Sequence, residues 1–206
     1  MTLWAVVPVK PFQQAKSRLA SALSDAERVE LSRTMLSQTL EVLREITEIT
    51  TVVVVSADRQ VLELATVAGA VPLVEPDPPN LNRALRLARE AARASGASGL
   101  LVVPADLPGL STADLRTMIR LAGRPPCLVI APDRHSRGTN ALLLLPSALI
   151  EFEFGAESFA RHVALGRAAG AQVEICKLPA LALDLDSPED LELVHSAEPQ
   201  LVHKEL

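Results

Sequence analysis

Short apolar runs alternate along this chain with longer stretches in which apolar positions recur every three or four residues. The short runs are rich in Val, Leu and Ile, as buried strands are, and the longer stretches have the periodicity of amphipathic helices. Strands and helices in alternation are typical of βαβ units. The pattern predicts an α/β fold with strands at residues 3–9, 51–56, 71–75, 100–104, 127–131, 140–145 and 172–177.

Three serines mark predicted helix starts. Ser24, followed three residues later by Glu27, has the pattern of a capping box and opens a long helix. The same pattern recurs over residues 111–114 and opens another helix. Ser187 precedes Pro188, a residue favoured at the first helical position, so a last helix begins there.

One pair of strands departs from the parallel arrangement. The strands at 127–131 and 140–145 are joined only by the polar loop PDRHSRGT, which is too short for a crossover helix. We therefore expect this pair to be antiparallel or staggered, and the sheet to be mixed but mostly parallel, flanked by helices. The length of 206 residues predicts one domain over 1–195, followed by a loose C-terminal tail over 196–206.

Composition narrows the functional classes. The chain is 49% hydrophobic and 22% charged, with a net charge of −5, as in ordinary globular proteins. Aromatic residues make up only 2%, which argues against a nucleic-acid surface built on stacking. No apolar stretch reaches the roughly 18 to 20 residues of a membrane span, and no secretory leader opens the chain, so we expect a cytoplasmic protein without a membrane partner. Cys127 and Cys176 are expected to be buried, reduced thiols.

Three cations follow the first predicted strand: Lys10, Lys16 and Arg18, in the segment KPFQQAKSRL. Ligands of open α/β sheets bind at the carboxyl ends of the strands, where positive charge attracts a polyphosphate. Neither G-x-x-x-x-G-K-S/T nor G-x-G-x-x-G occurs in the sequence, so side-chain charge would have to replace the backbone N–H groups of a glycine-rich loop. The alternative is a solvated basic patch beside a helix.

Three carboxylates lie near the ends of predicted strands. Asp106 follows the strand LLVVP and would project from the same sheet edge as the cations. Asp184 and Asp186 have the two-residue spacing that places both side chains on one face of an extended segment. Because Mg²⁺ is held by one or two carboxylates together with substrate phosphate and water, we expect these three acids to hold Mg²⁺. Alternatively, Asp106 is a turn residue and Asp186 serves the start of the last helix.

A second polar group lies in the segments GTNALLL and FGAESFARH. Thr139 enters a strand from a turn, and Gly155 and Ser158 lie at the start of a helix. Free N–H groups at a helix N-terminus, together with hydroxyls, suit a small carboxylate or phosphate group, so these three residues are an expected acceptor pocket. The alternative is a turn glycine and a serine bonded only to its local backbone. His162, one turn further on, is expected to be a structural hydrogen-bonding residue.

Five motifs in order resemble those of one enzyme family: PVKPFQQAKSRL, PADLPGL, APDRHSRGTNALLL, FGAESFARH and LDLDSPEDL. The family is 2-phospho-L-lactate guanylyltransferase, also called phosphoenolpyruvate guanylyltransferase, which serves coenzyme F(420) biosynthesis. The resemblance extends from residue 3 to about residue 194. It implies a single-domain nucleotidyltransferase fold, Rossmann-like and GT-A-like, related to the molybdenum-cofactor (MobA-like) guanylyltransferases.

The resemblance also implies GTP and Mg²⁺ as requirements. It places the metal on Asp106 with Asp184 or Asp186, and the three-carbon acid on the acceptor pocket defined above. The glycine-rich opening loop of the wider superfamily is absent here, and the N-terminal lysines stand in its place. A homodimer is suggested by the resemblance as well.

The expected reaction is attack by a phosphate oxygen of the acceptor on the α-phosphorus of GTP, with release of pyrophosphate. The expected catalytic residues are Asp106, through the metal, and the three N-terminal cations, which would neutralise the leaving group. Those cations would also bind the nucleotide, together with Ser56 and Asn82 at or near strand ends. Two other functions stay open: a molybdopterin or sugar-phosphate nucleotidyltransferase, and a catalytically silent nucleotide-binding module. The sequence does not separate phosphoenolpyruvate from 2-phospho-L-lactate as the acceptor.

Overall fold

A computed structural model describes residues 2–201 and contains one seven-stranded sheet. The strands are β1 (Leu3–Pro8), β2 (Ile49–Ser56), β3 (Val71–Val74), β4 (Gly99–Val102), β5 (Cys127–Pro132), β6 (Thr139–Leu145) and β7 (Gln172–Ile175). All seven predicted strands are therefore confirmed, each within two residues of its predicted bounds.

In the described part of the chain, seven α-helices connect or follow the strands: α1 (Asp25–Arg44), α2 (Arg59–Val67), α3 (Leu81–Ala94), α4 (Thr112–Leu121), α5 (Ser158–Ala168), α6 (Pro179–Ala182) and α7 (Pro188–Leu201). Two short 3-10 helices, Phe12–Gln14 and Ser17–Ser21, lie between β1 and α1. The predicted domain boundary at residue 195 falls within α7, so the predicted tail begins as helix. Residues 202–206 lie outside the described residues, and the division of the chain stays a prediction.

The strand order across the sheet is β3-β2-β1-β4-β6-β5-β7. β6 is antiparallel to both β4 and β5, whereas the remaining neighbours pair in parallel. The short loop between β5 and β6 has thus produced the mixed sheet that the sequence predicts. The carboxyl ends of β3, β2, β1 and β4 consequently lie in that order along one edge of the sheet.

The core has two layers because alternate residues of each strand point to opposite faces of the sheet. In β1, Ala5 and Val7 pack in the layer that also contains Leu36 of α1. Val6, between them, packs in the other layer with Leu85 of α3. Helices therefore cover both faces, and the edge at the carboxyl ends of the strands is left for ligands.

The predicted helix starts are confirmed at atomic detail. The Ser24 side chain accepts from the Glu27 N–H while the Glu27 carboxylate accepts from the Ser24 N–H, which is a complete capping box. A second box closes over residues 111–114 at the start of α4. At the start of α7, the Ser187 N–H and hydroxyl both donate to the Asp190 carboxylate.

Cys127 and Cys176 are both free and buried, as the sequence predicts. Among residues 2–201, no helix combines the length and the apolar character that a bilayer span requires.

Candidate active site

A cavity of about 390 Å³ lies at the carboxyl edge of the sheet. Its walls include residues of four neighbouring strand ends: Glu75 after β3, Val55 of β2, Lys10 after β1 and Asp106 after β4. The volume falls within the range of small-molecule sites, about 300 to 1,000 Å³. We call this space the larger cavity.

A second space of about 160 Å³, the smaller cavity, adjoins the first. Thr139, Asn140, Phe154 and Asp184 line it. The two cavities share four wall residues, Pro8, Leu81, Pro104 and Asp106. Asp106 is the one ionisable side chain among those four, so a charged group stands where two ligands in adjoining cavities would meet.

Lys16 joins the N-terminal segment to the acidic segments. Its Nζ lies 3.1 Å from Asp106 Oδ2 and 3.1 Å from Asp186 Oδ1, and only 7% of its side chain is exposed. Burial alone would lower the pKa of Lys16, but the charges of the two carboxylates outweigh it, so the pKa is raised and the amine stays charged. The structure thus brings the first predicted strand end and two of the predicted acids together around the larger cavity.

Asp184 has a different environment from Asp186. Its Oδ1 accepts a hydrogen bond from Asn140 Nδ2 at 3.3 Å, and in the described part of the chain no salt bridge neutralises it. Burial, together with the nearby charges of Asp106 and Asp186, raises the pKa of Asp184. A carboxylate in this position favours a cation beside it. Asn140 was not predicted as a site residue. The feature that could have identified it is an amide side chain at the start of an otherwise apolar strand.

The segment that carries these acids is fixed by backbone and side-chain bonds. The Leu185 N–H donates to the Asp106 carbonyl at 2.9 Å, which holds the two acidic segments side by side. The Asp190 carboxylate accepts from the Asp186 N–H at 3.0 Å and pairs with Arg134 at 2.8 Å. Neither Arg134 nor Asp190 is identifiable from the sequence, because the two residues are far apart along the chain.

Thr139 lines the smaller cavity and is bonded to His162. Their Oγ1 and Nδ1 atoms lie 3.0 Å apart, and His162 Nε2 accepts from the Glu153 N–H at 3.0 Å. Because Nε2 accepts, Nδ1 carries the proton and donates to Thr139 Oγ1, which leaves the threonine proton for another acceptor. Burial, with a contribution from Arg161, lowers the pKa of His162 to about 4, so the ring is neutral at pH 7. His162 is thus the hydrogen-bonding residue that the sequence predicts.

The other two residues of the predicted acceptor pocket are placed differently. Gly155 has a φ of 127°, a conformation that favours glycine, and its carbonyl accepts from the Ser158 N–H at 3.2 Å. Ser158 is the first residue of α5 and only 1% exposed. Phe154, next to Gly155, lines the smaller cavity, but Gly155 and Ser158 line neither cavity. Their role in binding the acid stays a prediction.

Only some of the predicted nucleotide-binding residues line a cavity. Lys10 is exposed and lines the larger cavity, whereas Arg18 is exposed on a 3-10 helix outside both cavities. Ser56 is fully buried and its Oγ accepts from the Asp58 N–H at 3.1 Å. The Asn82 amide donates to the Phe154 carbonyl at 3.1 Å and accepts from the Phe154 N–H at 2.8 Å. The structure therefore places neither Ser56 nor Asn82 in a cavity wall, because their polar groups bind protein backbone instead.

The predicted metal site is not preformed from three acids. Among residues 2–201, no three His, Cys, Asp or Glu side chains converge into a set of metal ligands, and Asp186 pairs with Lys16. Asp106 and Asp184 both line the smaller cavity. Two carboxylates fit Mg²⁺, which completes its shell with phosphate oxygens and water. Of the two candidates near the C-terminus, the geometry favours Asp184.

The chain matches the family model described as "Guanylyl transferase CofC like" over residues 3–200. It is similar to phosphoenolpyruvate guanylyltransferase of Rubrobacter xylanophilus, with 44% identity over 191 residues that cover 93% of this chain and 92% of the relative. It is also similar to 2-phospho-L-lactate guanylyltransferase of Methanothermobacter thermautotrophicus, with 36% identity over 191 residues, 93% of this chain and 83% of the relative.

Solved structures agree on the fold. A protein provisionally named a nucleotide-diphospho-sugar transferase from Desulfovibrio desulfuricans G20 superposes with a TM-score of 0.77 at 14% identity, covering 99% of this chain and 91% of that one. Glucosyl-3-phosphoglycerate synthase from Mycobacterium tuberculosis, solved with Mn²⁺ and uridine diphosphate, superposes with a TM-score of 0.61 at 12% identity, covering 98% of this chain and 77% of that one. This structural neighbour was therefore solved with a divalent metal ion bound.

Proposed function

Because the chain belongs to the CofC-like guanylyl transferase family, we propose that it transfers GMP from GTP to a phosphorylated three-carbon acid, phosphoenolpyruvate or 2-phospho-L-lactate. The chain is a nucleotidyltransferase, and pyrophosphate is the second product. One observation carries the proposal: Asp106 stands in the wall shared by a larger cavity that contains two lysines and a smaller cavity that contains Thr139 and Asp184.

We assign the two substrates to the two cavities by size and by the position of the two lysines. GTP occupies the larger cavity, where Lys10 and Lys16 supply positive charge for its phosphates. The three-carbon acid occupies the smaller cavity, where the Thr139 hydroxyl donates to it. The α-phosphate of GTP and the phosphate of the acid then meet beside Asp106.

Asp106 and Asp184 are the residues that would hold Mg²⁺, with substrate phosphates as further ligands. When bound, the ion neutralises negative charge on the phosphate groups that meet there. Lys16 pairs with Asp106 and with Asp186 at the same distance of 3.1 Å. Asp184 is preferred to Asp186 because it lines the smaller cavity together with Asp106, whereas Asp186 lines only the larger cavity. This assignment supports Mg²⁺ as the cofactor, since all donors are hard oxygen atoms.

The chemical step is a displacement at phosphorus. A phosphate oxygen of the acid forms a bond to the α-phosphorus, and the bond from that phosphorus to the bridging oxygen of the β-phosphate breaks. The electron pair leaves with pyrophosphate, whose charge Lys10 and Lys16 offset. The attacking oxygen is already anionic near neutral pH, so alignment and charge neutralisation suffice and no general base is required.

The decisive assay measures pyrophosphate release in the presence of Mg²⁺. It combines each of the four ribonucleoside triphosphates with phosphoenolpyruvate, 2-phospho-L-lactate, 3-phosphoglycerate, a sugar phosphate and molybdopterin. We expect GTP with phosphoenolpyruvate or 2-phospho-L-lactate to give the highest kcat/KM. Faster release with a sugar phosphate or molybdopterin would instead support another nucleotidyltransferase of this fold. GTP binding without pyrophosphate release for every acceptor would support a silent nucleotide-binding module.

The proposed reaction also bears on location and assembly. GTP and the acids are metabolites of the cytoplasm, so the reaction belongs there, as a step of coenzyme F(420) biosynthesis. A homodimer is the proposed assembly, and sedimentation velocity of the purified chain tests it.

A further inference from the structure

Glu75 lies at the far end of the larger cavity from the acids that face the phosphates. It directly follows β3, the edge strand, whereas Asp106 follows β4. The order β3-β2-β1-β4 puts three strand spacings between these strand ends. At roughly 4.8 Å per spacing the two strand ends are about 14 Å apart. Asp106 and Glu75 both line the larger cavity, so a ligand that lies along the row of strand ends has one carboxylate towards each end.

One oxygen of Glu75 is already committed and the other is not. Its Oε1 accepts from the Asn80 N–H at 2.6 Å, which closes the segment EPDPPN into a loop. Three prolines in that loop restrict its backbone further. Within residues 2–201, Oε2 makes no hydrogen bond and Glu75 forms no salt bridge. The carboxylate is thus held in position with a free acceptor oxygen.

The wall of the larger cavity is mostly apolar. Val9, Pro79 and Leu81 line it, and they suit the flat faces of an aromatic ring better than a charged group. Asp106 and Asp186 are paired with Lys16, whereas Glu75 has no ion-pair partner among residues 2–201 and repels phosphate. The triphosphate therefore belongs at the Lys10 and Lys16 end and the base at the Glu75 end.

We propose that Glu75 reads the base of the nucleotide and selects guanine. This inference rests on the proposed function, in which the larger cavity holds GTP. Guanine presents two neighbouring donors, N1–H and the 2-amino group, and the free Oε2 accepts from them. Adenine presents a lone pair at N1 instead, which a carboxylate repels, so the same oxygen that binds guanine disfavours adenine.

Glu75→Gln is the matched variant. Its amide oxygen can still accept from the Asn80 N–H, so the loop stays closed, but the second atom becomes an NH₂ group that cannot accept from guanine. We expect the affinity for GTP to fall roughly 10- to 100-fold, as for loss of a hydrogen bond to a charged group. We expect the affinity for ATP to rise, because the oxygen that repels adenine N1 is replaced by an NH₂ donor. The ratio of GTP to ATP affinity is the readout, because a loop-closing role would not change it. Asp77→Asn, an exposed carboxylate of the same loop that lines neither cavity, is the control.

Isothermal titration calorimetry with GTP, inosine triphosphate and ATP separates this inference from the proposed function. Wild type should bind GTP tighter than inosine triphosphate, which lacks the 2-amino group, and Glu75→Gln should remove most of that preference. Equal losses of GTP and ATP affinity, or an unchanged ratio, would overturn the assignment of Glu75. Base selectivity is read from binding alone, so a failure of turnover with every acceptor would count against the proposed function and not against Glu75.

Discussion

Lys16 is a buried cation that two carboxylates share, each at 3.1 Å from its Nζ. Removing the amine of Lys16 leaves the charges of both carboxylates unpaired. We expect Lys16→Met to lower the free energy of unfolding by about 1 to 3 kcal/mol, less than for a fully buried pair, because the carboxylates are partly exposed. Lys10→Met should leave the unfolding free energy unchanged while raising the KM for GTP, since Lys10 is exposed. Guanidinium unfolding of both variants measures the difference, and equal stabilities would show that Lys16 has no structural role.

His162 controls which way the Thr139 hydroxyl donates. Gln at position 162 can still accept from the Glu153 N–H, as Nε2 does, but it no longer donates to Thr139. Asn at this position can still donate to Thr139, as Nδ1 does, but it no longer accepts from the Glu153 N–H. We expect His162→Gln to raise the KM for the acid about 10-fold with little change in the KM for GTP, and His162→Asn to raise it less. Steady-state kinetics with each substrate varied in turn measures both. If the two variants shifted both KM values equally, the role assigned to His162 would be wrong.

Burial of neutral His162 also makes stability depend on pH. The folded-state pKa is about 4, below the ordinary value of 6.5. Between these values the unfolded chain binds more protons than the folded one, so the unfolding free energy falls as the pH is lowered from 6.5 towards 4. The total loss attributable to His162 is about 3 kcal/mol. Urea unfolding from pH 4.5 to 7.5 should show a shallower dependence for His162→Gln than for wild type, and parallel curves would contradict this account.

Among the elements, α3 is tied to the segment before α5 by one side chain. Asn82 forms two hydrogen bonds with the Phe154 backbone, at 2.8 and 3.1 Å, and Phe154 lines the smaller cavity. Asn82→Asp retains the acceptor and loses the donor, so we expect it to lower the unfolding free energy by about 1 to 2 kcal/mol and to raise the KM for the acid. Thermal unfolding and acceptor kinetics test this together. An unchanged acceptor KM in a destabilised variant would show that the link supports the fold but not the pocket.

The helices and strands themselves could be predicted from the sequence, because each is determined by residues close together along the chain. Apolar runs specified the strands, and the Ser24 and Ser111 boxes specified two helix starts. The sequence does not predict which way a polar side chain points near the end of a helix or strand. Ser56 and Asn82 were expected to face the nucleotide, but Ser56 bonds to the nearby Asp58 backbone and Asn82 to the distant Phe154 backbone. Which partner such a group finds depends on segments far away in the chain.

At the scale of the whole molecule, the parallel strands gather the site on one edge. That much follows from the sequence, since ligands bind at the carboxyl ends of such strands. Two features depend on contacts between distant segments and could not be predicted: the pairing of Asp186 with Lys16, and the bond from the Leu185 N–H to the Asp106 carbonyl. In the structure Asp184 lines the smaller cavity together with Asp106, whereas Asp186 lines the larger cavity.

In the proposed reaction the two substrates meet at Asp106, one from each cavity. A crystal structure with a non-hydrolysable GTP analogue, phosphoenolpyruvate and Mg²⁺ is the sharpest test of this meeting point. We predict the triphosphate in the larger cavity, the acid beside Thr139, and the ion at about 2.1 Å from oxygens of Asp106 and Asp184. A triphosphate bound outside the larger cavity, or an ion that does not contact Asp106, would contradict the claim.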